Sequence, residues 1–161
     1  MISVLVIEDD FRVADLHREF VSRCEGFQVA GVALSAEQAI EKNRELQPDL
    51  LLLDLYLPDA HGLDIAQRLR DESGADIIVV TAARDMASIK AAMQQGALHY
   101  LVKPFQFDAF RERFAGYRSY RESLGDRHAM SQRQIDEAVG ALRTTRSALL
   151  PKGLKIGRAH V

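Results

Sequence analysis

Short apolar runs alternate with amphipathic stretches along this chain. The runs are residues 4–7, 27–33, 50–53, 77–80 and 100–102. Each has the length of a strand, and three are solidly β-branched or leucine-rich, as strands buried on both faces should be. Between them the apolar period becomes helical. Val13, Leu16, Phe20 and Cys24 recur at the spacing of one helix face. Ser35-Ala36-Glu37-Gln38 is a capping box that opens a helix carrying Ala39, Ile40 and Leu46. Leu63, Ala66 and Leu69 follow Gly62, while Ile89, Ala92 and Met93 precede Gly96, a helix stop. Phe107, Phe110, Phe114 and Tyr117 mark the face of a fifth helix, which the sheet should cover.

Five βα repeats predict an α/β fold, an open, doubly wound parallel sheet with helices on both faces. Right-handed crossovers place the ligand crevice of such a sheet at the carboxyl ends of its strands. Glu8-Asp9, Asp54, Thr81 and Lys103 end the first, third, fourth and fifth runs, so the candidate reactive groups gather at that edge.

The βα rhythm stops near Arg118, and Gly125-Asp126 reads as a break. Ser131-Gln132-Arg133-Gln134 is a second capping pattern, followed by Ile135, Ala138, Leu142, Thr145 and Leu149 at an alternating three-four spacing that Pro151 ends. Two heptads fall short of a coiled coil. The apolar stripe is expected to pack on a second copy of the chain, as a homodimer, in preference to folding back.

Composition narrows the class. Hydrophobic residues make up 47% and charged residues 27% of the 161 positions, a globular balance. A net charge of -2 gives no global pull toward nucleic acid. The single Cys24 has no disulfide partner and reads as a small core residue, in keeping with a reducing, cytoplasmic setting. The first residues lack the pattern of a signal peptide, and no apolar run approaches the roughly 20 residues of a membrane span.

Each polar residue at the sheet edge also has a plain structural reading. Glu8-Asp9-Asp10 suits a helix N-terminus, Thr81 suits a cap, Lys103 suits a surface turn, and Tyr100 suits a half-buried strand. Together they read differently. Carboxylates that converge at strand ends repel one another and need a cation or a proton to coexist. Hard oxygen ligands with room for water and phosphate oxygens suit Mg2+, and no His or Cys cluster argues for zinc. A lysine and a hydroxyl facing that cation make a receptor for a phosphoryl group on a carboxylate, and an Asp can serve as its nucleophile.

Ile7-Glu8-Asp9-Asp10, Leu53-Asp54-Leu55-Tyr56-Leu57-Pro58 with Gly62, Val80-Thr81-Ala82-Ala83, and Tyr100-Leu101-Val102-Lys103-Pro104-Phe105 together resemble the receiver domains of two-component response regulators. The resemblance covers residues 1 to about 120. It implies the flavodoxin-like strand order 2-1-3-4-5. It makes Asp54 the phosphoacceptor. Asp9 and Asp54 would ligate Mg2+ directly and Glu8 through water, with the backbone carbonyl of Tyr56 completing the protein ligands. Thr81 would bond a phosphoryl oxygen, Lys103 would pair with the carboxylate and then the phosphoryl group, and Tyr100 would be the switch that follows Thr81. A cis peptide is expected between Lys103 and Pro104. Asp10 matches no such role and remains a helix-end acid.

The partner implied is a sensor histidine kinase. The chain would catalyse only its own phosphorylation and dephosphorylation and would not be an enzyme toward other substrates. An aspartate-based phosphatase is the rival reading, but Leu55 and Tyr56 stand where such an enzyme commonly offers a second acid. A degenerate receiver is the other, opposed by the full set of site residues. Leu150-Pro151-Lys152-Gly153-Leu154 resembles the linker of transcription regulators that respond to citrate and C4-dicarboxylates, where it opens a winged-helix DNA-binding domain. The expected organisation is therefore a receiver over 1–122, a helical linker over 123–150, and over 151–161 the start of a truncated output domain or a foreign tail. DNA would be bound only through an output domain absent from this chain.

Overall fold

The computed structural model describes residues 1–82, 85–125, 137 and 139–142. It contains two compact units, Met1–Ala115 and Gly116–Val161. In chain order the elements are β1 (Ile2–Ile7), α1 (Phe11–Arg23), β2 (Phe27–Ala33), α2 (Ala36–Leu46), β3 (Leu50–Asp54), α3 (Gly62–Ser73), β4 (Asp76–Ala82), α4 (Met86–Gln94), β5 (His99–Lys103) and α5 (Phe107–Gly125). The five strands are all parallel and run in the order β2-β1-β3-β4-β5. The sequence reading of the fold holds, with strand ends extended by a residue or two.

The middle of the sheet is apolar up to the strand ends because it is covered on both faces. All five residues of β3 are buried, as are Val4–Ile7 in β1 and 77–81 in β4, with Asp54 and Thr81 the polar ones at the ends. Burial stabilises each of the apolar side chains by about 1.5–3 kcal/mol, which makes the leucines of β3 the floor of the structure. Register is pinned at the strand starts. The Asp49 carboxylate accepts from the Ser3 amide at 2.9 Å and the Ser3 hydroxyl at 3.1 Å, tying β1 to the approach of β3. From there Ile7 pairs with Leu53, and Thr81 pairs with Val102. That alignment sets Glu8 beside Asp54, and Thr81 one step from Lys103.

Two helices differ from their sequence reading. In α1 the buried positions are Ala14, His17, Phe20 and Val21, and Leu16 is 45% exposed. The apolar stripe is rotated because His17 takes an interior position, its ring stacked on Phe105 at 5.1 Å. In α2 the buried face is Ala36, Ala39 and Asn43, with Leu46 exposed. A polar residue is tolerated there because the Asn43 amide donates to the Leu69 carbonyl of α3 at 2.9 Å. The capping box also closes differently. Ser35 accepts from Gln38 as expected, but the Gln38 side chain accepts from the Leu34 amide, one residue before the cap.

α4 stops as expected, with Gly96 just past its cap at φ 106°, a conformation open to glycine. Phe110 and Phe114 of α5 are buried and stack on each other at 4.2 Å, while Phe107 is half-buried under Arg23. Residues 137 and 139–142, which include Leu142, are helical. The remaining residues of the expected linker stripe, Ser131–Gln134 (numbers 131–134) and residues 150–154 lie outside the described residues.

Candidate functional site

The edge formed by the strand ends holds three carboxylates and one amine. Glu8, Asp9 and Asp54 each offer an oxygen, and these oxygens lie within 4.8 Å of one another. Glu8 and Asp54 are buried at 1% and 4% exposure, whereas Asp9 faces solvent. Lys103 reaches across from β5, its Nζ 2.6 Å from Glu8 Oε1 and 3.3 Å from Asp54 Oδ2. The other Asp54 oxygen accepts from the Tyr56 amide at 3.0 Å, and the other Glu8 oxygen accepts from the Asp10 amide at 3.2 Å. Asp10 itself caps α1, accepting from the Arg12 and Val13 amides. The Lys103-Pro104 peptide bond is cis.

The electrostatics show a deficit of positive charge. Burial is the first cause that raises the Asp54 carboxyl above the ordinary aspartate range; the Asp9 charge adds to it and Lys103 opposes it. Burial likewise raises Glu8, helped by the Asp54 charge, and raises Asp9, helped by its neighbour Glu8. Burial works against the Lys103 ammonium, but its bond to Glu8 and the charges of Asp54 and Glu8 outweigh that and hold its pKa above the usual lysine value. One amine does not neutralise three acids, so the site favours binding a further cation. The all-oxygen donor set fits a hard ion such as Mg2+. Thr81 adds a second unmet demand, because its hydroxyl is fully buried and has no hydrogen-bond partner among the described residues.

Residues 4–115 match the response regulator receiver domain family. The chain belongs to that family. Its curated relatives include the transcriptional regulatory protein MalR of Bacillus subtilis, 38% identical over 96% of this chain and 66% of that protein. The probable C4-dicarboxylate response regulator DctR of Priestia megaterium is 33% identical over 94% of the chain and 67% of its own length. DcuR, a transcriptional regulatory protein of Escherichia coli, is 36% identical over 96% and 66%. The chain thus spans about two thirds of the length of these relatives. Among solved structures, a CheY-like receiver domain protein from Methanospirillum hungatei has the same fold, with a TM-score of 0.70 at 23% identity over 78% of this chain and 99% of that one. A LuxR-family two-component regulator from Aurantimonas gives a TM-score of 0.64 at 26% identity over 88% and 97%.

The receiver brings Glu8, Asp9, Asp54 and Lys103 into one cluster and sets Thr81 at the neighbouring strand end. Tyr100 lies deeper on β5, opposite Val79 and two pairs before the Thr81–Val102 pair. Its ring is buried, and burial raises its phenol above the usual value. Tyr56 is 49% exposed, with its hydroxyl 3.4 Å from Ser88 Oγ and its ring edge-on to His61.

Three supporting residues escaped the sequence reading. His61 caps α3 by accepting from the Leu63 amide through Nδ1. Asp59 accepts from the Ala36 and Glu37 amides of α2. His17 stacks on Phe105, just past Lys103-Pro104, and burial, with the nearby Lys103, lowers its imidazole to about 4. Pro58-Asp59 signals a turn in the sequence, but nothing local signals the partner of Asp59. Among the described residues no helix is long and apolar enough to cross a membrane.

Proposed function

We propose that this receiver accepts a phosphoryl group on Asp54 from the phosphohistidine of a sensor kinase and thereby controls a DNA-binding output in a transcription regulator. The observation that carries this reading is the position of Lys103, shared between Glu8 and the acceptor carboxylate beside a buried Thr81 hydroxyl that has no hydrogen-bond partner among the described residues. An oxygen of Asp54 attacks phosphorus, the phosphorus–nitrogen bond breaks, and its electron pair returns to the imidazole. Lys103 sits closer to Glu8 than to Asp54, at 2.6 against 3.3 Å, so its ammonium is held in reserve and moves onto the phosphoryl oxygens as they arrive. Thr81 donates its hydroxyl to a second oxygen, and Tyr100 follows it inward. Glu8, Asp9, Asp54 and the Tyr56 carbonyl would hold Mg2+, which supplies the positive charge that offsets acid and phosphate together.

Each charge-assisted bond to the new group is worth about 1.5–3 kcal/mol, so two or three that form only in the phosphorylated state suffice to invert a 1:99 conformational equilibrium, which takes about 5.5 kcal/mol. The name of one relative, the probable C4-dicarboxylate response regulator DctR of Priestia megaterium, supports a parent regulator that responds to C4-dicarboxylates. On this reading the receiver turns over no substrate beyond its own phosphoryl group, acts in the cytoplasm, and passes the switch on by pairing with a second copy through its linker. The test is phosphate uptake. Intact mass after incubation with a small phosphodonor and Mg2+ should show one added phosphate in the wild type and none in Asp54→Asn. Comparable uptake by the variant would remove Asp54 from the role.

A further inference from the structure

The loop after Asp54 is held at three places. At its start the Leu55 amide donates to the Val80 carbonyl at 3.0 Å. At its end the Gly62 amide donates to the Leu55 carbonyl at 2.6 Å, and His61 caps α3. Between these the tip turns back through a bond from the Leu57 amide to the Ala60 carbonyl. What fastens the tip to a neighbouring element is Asp59. Its Oδ1 accepts from the Ala36 amide at 2.8 Å and its Oδ2 from the Glu37 amide at 3.0 Å. Those two amides open α2, and the helix's own cap leaves them free, because the Ser35 hydroxyl accepts from Gln38 instead. A residue 22 and 23 positions away thus completes the cap. The two bonds hold the Asp59 carboxyl below its ordinary value.

Building on the phosphoacceptor reading, we propose that Asp59 is a positioning residue for the metal site: by hooking the loop tip onto α2 it fixes the Tyr56 carbonyl toward the Glu8–Asp9–Asp54 cluster. Tyr56 lies between the anchored Asp54 and this hook; it is 49% exposed, and its ring meets His61 at the end of the same loop. The Asp54 contact fixes the Tyr56 amide, on the near side of the residue. The Tyr56 carbonyl belongs to the next peptide, whose Leu57 amide donates to the carbonyl of Ala60, the neighbour of Asp59, so its orientation is set from the segment that Asp59 anchors. A bidentate tie to two adjacent helix amides restrains rotation of the tip as well as its position. Support of this kind, one bond removed from a ligand, commonly governs metal affinity.

The rival is that Asp59 merely stabilises α2, and Ser35→Ala separates the two, since it removes the helix's other cap without touching the loop. Titration of the full chain with Mg2+ alone, followed by calorimetry, should show binding weakened by about tenfold in Asp59→Ala, partly restored in Asp59→Asn, and unchanged in Ser35→Ala. Hydrogen exchange without metal should be faster for amides 55–62 in Asp59→Ala and not in Ser35→Ala. Phosphate uptake by Asp59→Ala should be slow at low Mg2+ and approach the wild-type rate at saturation. Equal losses of Mg2+ affinity in Asp59→Ala and Ser35→Ala, or wild-type affinity in Asp59→Ala, would overturn the proposal. The wild type in the same series keeps the two readings apart: if it takes up no phosphate the acceptor reading falls, while the Mg2+ and exchange data still decide the part played by Asp59.

Discussion

Replacing Asp54 by Asn removes one negative charge from the site and keeps both its shape and the acceptor used by the Tyr56 amide. Asp54 lies 3.3 Å from the Lys103 ammonium, an attraction of about 5 kcal/mol at an effective dielectric constant of about 20. Against this stand burial, which disfavours the Asp54 charge most strongly, and the carboxylate of Asp9. Together they outweigh Lys103, since the Asp54 carboxyl is raised above its ordinary value. At pH 7 without divalent metal, Asp54→Asn is therefore expected to be more stable than the wild type, on the order of 1 kcal/mol, the scale of a one-unit pKa shift.

The pH dependence has a definite sign. The native carboxyl titrates above its unfolded value of 3.8, so between the two values the native state binds more protons than the unfolded state. Wild-type stability then falls as pH rises through that interval. The advantage of the variant should vanish below about pH 3.8 and be complete above the raised native value. On the proposed reading Mg2+ should reverse the comparison, because a ligand at 100 times its dissociation constant stabilises the native state by about 2.7 kcal/mol, and the variant would lack one of the proposed metal ligands. The assay is urea denaturation followed by far-ultraviolet circular dichroism, since the chain has no Trp, with either EDTA or Mg2+ present. An Asn variant less stable than the wild type at pH 7 in EDTA would refute the argument and show that the attraction of Lys103 outweighs the cost of burial.

Two further outcomes follow from the surroundings of the site. A Cβ on Gly62 would stand 2.9 Å from the Asp54 carbonyl oxygen and 3.0 Å from Leu55 Cα, so Gly62→Ala must push backbone and should cost about 1–3 kcal/mol in the same urea assay. His17 is neutral in the native state down to about pH 4 but titrates near 6.5 when unfolded, so the stability present above 6.5 is lost as pH falls toward 4, by about 3 kcal/mol. His17→Phe keeps the stack on Phe105 and should remove that dependence, which the difference between the two pH–stability curves will show.

The fold was legible because β3 leaves no room for another reading. Four consecutive leucines ending in an acid make a strand buried on both faces, and three of the other four runs end in polar groups at the same edge. The acidic cluster and Lys103 were legible for the same reason, since strand ends in a parallel sheet share one rim. The phase of α1 was not. A pattern of apolar letters cannot report that a histidine is interior, because what makes His17 suitable is Phe105, 88 positions later in the chain. Asn43 was missed likewise: its burial depends on a carbonyl at the far end of α3. Asp59 shows the limit most plainly. A local reading places an Asp after a proline in a turn, and only the fold brings the first amides of α2 within its reach.

These long-range ties matter because the site works against the stability of the domain that carries it. Three raised carboxylates around one lysine store unfavourable charge, and the buried Thr81 hydroxyl, without a partner among the described residues, adds to it. Relaxation of that strain is blocked from below by the packed leucines of β3 and from the sides by local anchors. Asp10 and the Asp59 hook fix the acidic loops to helix ends, and Gly62 lets α3 press against the Asp54 backbone. The charge cannot spread by loop movement, so it is relieved by what binds there. On the proposed reading a cation would relieve the acids, and a phosphoryl group would then engage Lys103 and Thr81. Function and strain are on this account the same feature, which is why the residues that conflict most with a stable core are the ones the strand ends hold together.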